Sequence, residues 1–398
     1  MKNILNKVPA ITIYFWLIKV LCTTVGETAS DFLNINLNLG LYGTAATTGI
    51  LLVVALYFQF RASKYIPGLY WLSVVLISVF GTLLTDILTD SLHFPLEAST
   101  ILFSVALLVT FALWYAKEGT LSIHSIYTRR REAFYWLAIL FTFALGTAAG
   151  DLMAESLSLG YLVTGLIVCT IIILVLIAWR LGLDGVLAFW IAYILTRPLG
   201  ASLGDYLTQS QSVGGLGMGA AITSAIFLAA ILGVVIFLTL TRYDFRATPA
   251  LAPVENSGKR SSVIWQVIGV VVILVSVAGV GYYGRSVQLA SIKAAAASSP
   301  TPLGDLSAFR QITGDTLNLV RAGNLAGAKT RITDLETAWD NAEPNLKPLN
   351  PDKWSLMDTA IDHALKSLRT NHPDALSSTT ALQTLLDEIN SLDPQKTS

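Results

Sequence analysis

Four copies of one spaced motif constrain this chain more than any other feature. In each copy a tryptophan is followed ten residues later by a glycine, and the glycine is followed five residues later by an aspartate. The motif residues are Trp16, Trp71, Trp136 and Trp190, then Gly26, Gly81, Gly146 and Gly200, then Asp31, Asp86, Asp151 and Asp205. A fixed spacing that recurs four times indicates an internal repeat, and any fold must account for it.

Every copy of the motif lies in an apolar segment, and the whole composition is typical of a membrane protein. Of 398 residues, 54% are hydrophobic and 13% are charged, whereas about 25% are charged in an ordinary soluble domain. The formal net charge is zero, so no basic excess indicates a nucleic-acid partner. Cys22 and Cys169 both lie in apolar segments and predict neither a disulfide framework nor a cysteine metal site.

Nine segments are candidate membrane spans, because a span needs about 20 mostly apolar residues. They are 10–34, 41–60, 68–91, 97–116, 133–156, 161–180, 185–207, 219–241 and 262–283. The first, third, fifth and seventh carry the motif, and a smoother apolar segment follows each one. We therefore predict an all-α polytopic protein of the lipid bilayer. Four repeated two-helix hairpins would occupy residues 1–242, and a cytoplasmic linker, 243–261, would lead to a ninth transmembrane helix at 262–283.

The loops alternate in charge, which predicts the orientation of the spans. Arg61, Arg130, Arg180 and Arg242 fall in alternate connections, whereas the loops near 35–40, 92–96, 157–160 and 208–218 hold no lysine or arginine. Because basic loops stay in the cytoplasm, we predict a cytoplasmic amino terminus. The motif helices then all run in the same direction, as parallel repeats.

The last hundred residues differ from the rest in composition. After an Ala/Ser/Pro-rich linker at 284–304, apolar residues recur at helical spacing in 305–322, 325–343, 351–369 and 374–391. This pattern predicts an extracytoplasmic four-helix bundle over 305–398. The bundle is also a candidate surface for an extracytoplasmic partner.

Acidic residues inside the predicted spans point to function. Seven lie there against two bases, Lys19 and Arg197: Glu27, Asp31, Asp86, Asp90, Asp151, Glu155 and Asp205. A charge at the centre of a membrane helix costs roughly 2.5–3.5 kcal/mol even on mild scales. We therefore predict that the acids bind a cation. Oxygen-only ligands suit Mn²⁺, Mg²⁺ or Ca²⁺, so the four motif aspartates are candidate metal ligands, and Glu27, Asp90, Glu155 and Arg197 are candidate residues of the same ion site.

Two alternatives to an ion site stay open at this point. The acids could cap helices or form structural pairs with the two bases, and Arg197 is expected to pair with Glu27 or a motif aspartate. An intramembrane aspartyl protease is disfavoured, because Gly204-Asp205 is preceded by Ser202-Leu203 rather than by the Gly-x required in that motif. We expect no enzyme activity and no resident cofactor.

The segment Thr196-Arg197-Pro198-Leu199-Gly200 through Gly204-Asp205, together with the fourfold motif, resembles a bacterial family labelled "membrane-anchored protein". The resemblance covers roughly residues 10–241. It implies an inner-membrane location and no established activity. The leading hypothesis is a transporter of a cation, with a divalent metal ion favoured. A membrane-anchored sensor or scaffold that acts through its bundle, and a proton-coupled exporter of an organic cation, are the alternatives.

Overall fold

A computed structural model of the chain describes residues 6–37, 39–92, 94–157, 159–209, 215–245, 266, 269, 283–284, 286–294, 301–370 and 373–393. The chain divides into two compact units, Met1–Val272 and Ile273–Ser398. The described residues of the first unit form eight long helices: α1 (Ile13–Asp31), α2 (Gly40–Arg61), α3 (Pro67–Asp86), α4 (Leu96–Glu118), α5 (Arg129–Asp151), α6 (Tyr161–Arg180), α7 (Gly185–Thr208) and α8 (Ala220–Thr241).

Local sequence determines where the motif helices begin. The side chains of Thr12, Thr128 and Asp184 accept hydrogen bonds from backbone N–H groups in the first turns of α1, α5 and α7, as preferred N-caps do. Pro67 occupies the start of α3, where its missing N–H costs nothing. The helices α1, α3 and α5 each end in a five-residue π-helical turn, Phe32–Asn36, Ile87–Ser91 and Leu152–Ser156.

The helices α2 to α8 are long and apolar enough to cross a membrane, so the chain is a multi-pass membrane protein. These helices confirm seven of the nine predicted spans. The helix α1 falls short because Lys19 and Glu27 lower its hydropathy, although it packs among α3, α7 and α8. The predicted span 262–283 lies almost wholly outside the described residues.

The four motif helices form a closed ring, in which α1 packs on α3, α3 on α5, α5 on α7, and α7 on α1. A Cβ atom added at Gly26, Gly81, Gly146 or Gly200 would lie 2.7, 2.7, 2.5 or 2.5 Å from the Cβ atom of Ser78, Phe143, Arg197 or Thr23, respectively. Each of those partners is the residue three places before the glycine of the next repeat. The helices are therefore parallel and in register, and the glycines allow their backbones to approach closely.

The motif tryptophans obey the same cyclic rule at the other end of the ring. The residue before each tryptophan packs on the tryptophan of the next repeat, with ring centroids 5.6 Å apart for Phe15–Trp71, 5.4 Å for Tyr70–Trp136, 6.3 Å for Tyr135–Trp190 and 5.7 Å for Phe189–Trp16. The tryptophans therefore hold the ring together by packing inside the unit.

The second helix of each repeat covers the ring from outside. The helix α2 packs along α3, α4 along α5, α6 along α7, and α8 along α1. The predicted hairpins are thus consecutive in sequence but are not the packing units, since each outer helix lies against the next repeat. Small residues fit these contacts: a Cβ atom at Gly49 of α2 would lie 3.0 Å from the ring of Phe80 in α3.

The second unit contains the four predicted helices, here α9 (Ser307–Arg321), α10 (Leu325–Leu346), α11 (Pro351–Arg369) and α12 (Ala375–Leu392). Each packs on its neighbours in sequence, and α12 returns to α9. The rings of Trp339 and Trp354 stack 3.7 Å apart in the apolar core. The extracytoplasmic location of this bundle stays a prediction.

Candidate functional site

The inner face of the ring can be divided into five levels, because residues four apart share one face of a helix. From the tryptophan end, the levels are Phe15, Tyr70, Tyr135 and Phe189; Lys19, Val74, Ile139 and Tyr193; Thr23, Ser78, Phe143 and Arg197; Glu27, Thr82, Thr147 and Ala201; and Asp31, Asp86, Asp151 and Asp205. Residues of the first four levels are all 8% exposed or less. We call the fifth level the acid level, its end of the ring the acid end, and the opposite end the basic end.

The acid level brings the four motif aspartates to one end of the ring. Asp205 is buried, and the other three are partly buried. All four interact electrostatically with Glu27, which lies one level below them. Asp151 also interacts with Asp86 and Asp205 on the two neighbouring helices of the ring. The acids thus share one electrostatic environment.

The two further predicted acids lie in the π-helical turns beside this level. Asp90 accepts a hydrogen bond of 2.9 Å from the Thr89 hydroxyl, and Glu155 accepts one of 3.3 Å from the Tyr161 hydroxyl. Each also interacts with the motif aspartate four residues before it. π-Helical turns are frequent at functional sites, and here they carry acidic side chains next to the acid level.

The Arg197 guanidinium lies inside the ring, directly below the acid level. Its Nη2 atom donates to Glu27 Oε2 at 2.7 Å and to Thr147 Oγ1 at 2.8 Å, and it also donates to Thr82 Oγ1. Glu27, Thr82 and Thr147 are the equivalent fourth-level residues of the other three repeats. The Arg197 guanidinium therefore contacts all three of the other repeats, which places it at the centre of the ring.

Lys19 lies two levels below Glu27, and its surroundings are aromatic. The Nζ atom is 3.9 Å from the ring centroid of Phe143 and 4.2 Å from that of Tyr193. Within the described part of the chain this nitrogen has no hydrogen-bond partner, and the side chain is 1% exposed. Contacts with ring faces stabilise a cation, but they leave the three N–H donors of an ammonium unsatisfied.

The acid end holds many more carboxylates than basic groups. Glu27 and the four motif aspartates face one guanidinium, that of Arg197. In a poorly solvated site, neighbouring like charges are mutually destabilising and favour a bound cation or proton. Among the described residues, no group of three or more His, Cys, Asp or Glu side chains is arranged to hold a metal ion. The predicted metal role of the four aspartates therefore stays a prediction.

Sequence reasoning missed two residues that complete this site. Thr82 and Thr147 bind the guanidinium, yet neither belongs to the spaced motif. The signal that could have found them is the position directly after each motif glycine, which reads Glu27, Thr82, Thr147 and Ala201. The π-helical turns have no comparable signal in the sequence.

Comparison with known proteins agrees with the repeat. A family described as Repeat of Unknown Function (DUF347) matches residues 14–65, 69–120, 134–181 and 188–244. Each match contains one motif helix and the helix that follows it, which confirms a fourfold repeat family of unassigned function; the label "membrane-anchored" is not part of the match. No curated protein sequence and no solved structure matches the chain.

Proposed function

This chain belongs to the family Repeat of Unknown Function (DUF347), so its activity must be argued from the site itself, and we propose that it transports a cation across the bacterial inner membrane. One observation carries the proposal. Five carboxylates gather at one end of a closed helix ring, and a single guanidinium lies among them.

Electrostatics explains why such an acid level would bind a cation. Two like charges 4 Å apart repel by about 4 kcal/mol at an effective dielectric constant of 20. A cation between several carboxylates removes this repulsion and gains attraction from each of them. Oxygen-only ligands favour hard cations, which makes Mn²⁺ a suitable probe.

Arg197 favours a transporter over an open channel. Its guanidinium lies at the centre of the ring and is bonded to three repeats, and a fixed positive charge in a pore repels cations. A cation could pass only after the Arg197–Glu27 ion pair moves aside. In this proposal the transported cation competes with Arg197 for Glu27, so binding and opening are linked.

The proposal includes an orientation. At the basic end of the ring, α2 ends at Arg61, α6 ends at Arg180, and Arg242 directly follows α8. Basic loops favour the cytoplasm. The acid end would then face the extracytoplasmic side, with the amino terminus in the cytoplasm and residues 305–398 outside. This arrangement would expose the acid level to ions that arrive from outside the cell.

Flux of Mn²⁺ into proteoliposomes that contain the full-length protein tests the proposal. We expect Asp151→Asn to lower the rate at least about tenfold, because a loss of about 1.4 kcal/mol of ion stabilisation already corresponds to a factor of ten. Glu97→Gln is the matched control, since Glu97 lies in the first turn of α4 at the same end of the helices but outside the ring. Equal Mn²⁺ flux in wild type and Asp151→Asn would refute the proposal.

A further inference from the structure

A cavity lies where the ring closes, between the first motif helix and the last. Its volume is about 430 Å³, and it is lined by α1, α6 and α7. The lining runs from Ile11 to Val20 on α1 and from Gly185 to Leu199 on α7, so the cavity lies towards the basic end and does not include the acid level. Pockets of this volume are large enough to bind a small ligand.

The cavity interrupts a pattern of burial that the other repeats share. The motif tryptophans of the second, third and fourth repeats are at most 4% exposed, whereas Trp16 is half-buried and lines the cavity. The residue 43 places after the motif tryptophan shows the same difference. Gln59 and Trp114 are each 1% exposed, but Trp179 is half-buried and lines the same cavity. At this place the described residues leave two large aromatic rings partly uncovered.

The length of one connection explains the cavity. The helix α4 lies along α5, and the connection that follows α4, residues 119–128, reaches the tryptophan of α7: the carbonyl of Leu121 accepts a hydrogen bond of 3.0 Å from Trp190 Nε1. The helix α6 lies along α7 in the same way, so the connection that follows it is the equivalent cover for Trp16. That connection has only four residues, 181–184. The cavity over Trp16 therefore follows from this short connection.

The cavity opens towards lipid and extends about as far as one leaflet. Ile13 and Leu176 line it and are 73% and 52% exposed, so its open side lies among apolar residues that face the bilayer. On α6 the lining runs from Ile172 to Arg180, roughly 12 Å at 1.5 Å per residue. One leaflet contributes about 15 Å of the hydrocarbon core. An acyl chain that enters from the basic end therefore matches the length of the cavity.

A basic group stands at the polar end of the cavity. Arg180 is exposed, and its guanidinium carbon lies 5.3 Å from the centroid of the Trp179 ring. The nearby carboxylate of Asp184 is bonded to two backbone N–H groups in the first turn of α7. Gln266 fixes the connection beside the mouth, since its side chain donates to Gly182 O at 3.3 Å and accepts from Asp184 N at 3.0 Å. A cavity with an apolar length and a basic end is complementary to an anionic phospholipid.

We propose that this cavity binds one anionic phospholipid, whose acyl chain lies against Trp16 and Trp179 and whose phosphate binds Arg180. The lipid supplies at Trp16 the cover that protein residues supply at the other three motif tryptophans. It belongs to the leaflet at the basic end, and it joins α1 to α6 and α7 where the first repeat meets the last. This site is independent of the transported cation, because no residue of the acid level takes part in it.

Titration of the full-length protein with lipid tests the site. The protein is stripped of lipid in detergent, and native mass spectrometry counts the molecules of dioleoyl phosphatidylglycerol that it binds. We expect one saturable site. Dioleoylglycerol, which lacks the phosphate, should compete only weakly for this site, and free glycerol 3-phosphate, which lacks the acyl chains, should not compete. The two competitors thus separate the contribution of the chain from that of the headgroup.

Two variants change the two ends of the site. Ala192 lines the cavity and is half-buried, so Ala192→Phe fills it; we expect the lipid affinity to fall at least about tenfold, because each buried CH₂ group contributes to binding. Arg180→Met should weaken binding about fivefold, the contribution of one basic residue at a headgroup. The controls are Ala112→Phe, at an exposed position of α4, and Arg61→Met, at the end of α2, where Arg61 rests 5.1 Å from the Tyr57 ring.

Gel filtration checks the folding of all four variants before the titration. Both controls should bind phosphatidylglycerol as wild type does. Wild-type affinity in folded Ala192→Phe would overturn the cavity as the lipid site, and wild-type affinity in Arg180→Met would overturn the phosphate contact. No saturable binding by wild type would overturn the lipid itself, and the apolar residues that follow Gln266 would then be the alternative occupant.

Discussion

Replacement of Arg197 by methionine would test whether this one side chain holds the ring together. Methionine keeps much of the length of the side chain and removes the guanidinium. Glu27 then loses the ion-pair partner that lies 2.7 Å away, and Thr82 and Thr147 lose a donor. Because Glu27 is only 8% exposed, its carboxylate has little access to water once the guanidinium is removed.

The magnitude follows from burial of the pair. Removal of one partner of a buried ion pair costs about 3–5 kcal/mol, because the other charge stays buried without compensation. One kcal/mol lowers the melting temperature of a unit of this size class by about 2–4 °C. We therefore expect Arg197→Met to melt roughly 6–20 °C below wild type, as measured by fluorescence-detected gel filtration of heated, detergent-solubilised protein.

A control and a double variant separate the charge effect from general damage. Arg180→Met removes an exposed arginine that rests on Trp179 at the end of α6, and surface changes of this kind stay within about 0.5 kcal/mol. Glu27→Gln combined with Arg197→Met should recover about half of the loss, because the Glu27 carboxylate is then no longer left buried without its partner. If Arg197→Met melts like the control, or if the double variant is no more stable than the single one, the reasoning is wrong.

Two further predictions concern packing in the two units. Gly81→Ala would place a Cβ atom 2.7 Å from that of Phe143, so we expect the first unit to lose about 1–3 kcal/mol of stability in the same melting assay. Gly233→Ala is the control: no atom lies within 4 Å of its Cβ position, so the change should be neutral or stabilising, and equal effects of the two variants would contradict the ring contact. Trp354→Ala should destabilise the bundle by about 3–5 kcal/mol, which hydrogen exchange would detect as faster exchange in residues 351–369. Leu376 is 75% exposed, so Leu376→Ala should leave that exchange unchanged.

The sequence carried the repeat but not the way in which the repeats pack. The alternation of basic and non-basic loops predicted parallel motif helices, and in parallel helices the fixed spacing of tryptophan, glycine and aspartate repeats side chains at one height. It could not show that α2 lies against α3, since any smooth apolar helix is an acceptable neighbour in lipid. The contacts of Gly49 with Phe80, and of Gly165 with Ser202, decide that partner, and they depend on shape rather than on polarity.

The candidate site was only partly predictable for a similar reason. Acids in apolar segments stand out because each is costly, so Asp31, Asp86, Asp151 and Asp205 could be identified without a structure. Threonines in a membrane helix do not stand out, because they bond their own backbone, as Thr82 does through the carbonyl of Ser78. Their contact with Arg197 becomes visible only when the ring fixes the register of the four helices.

The number of Mn²⁺ ions bound by the purified full-length protein tests the central claim most directly. Electron paramagnetic resonance would follow the free ion during titration of wild type and of Asp31→Asn, Asp86→Asn, Asp151→Asn and Asp205→Asn. A single shared acid level predicts one saturable site in wild type, with affinity at least about tenfold weaker in each variant, since a loss of 1.4 kcal/mol gives that factor. No saturable Mn²⁺ binding by wild type, or wild-type affinity in all four variants, would contradict the account.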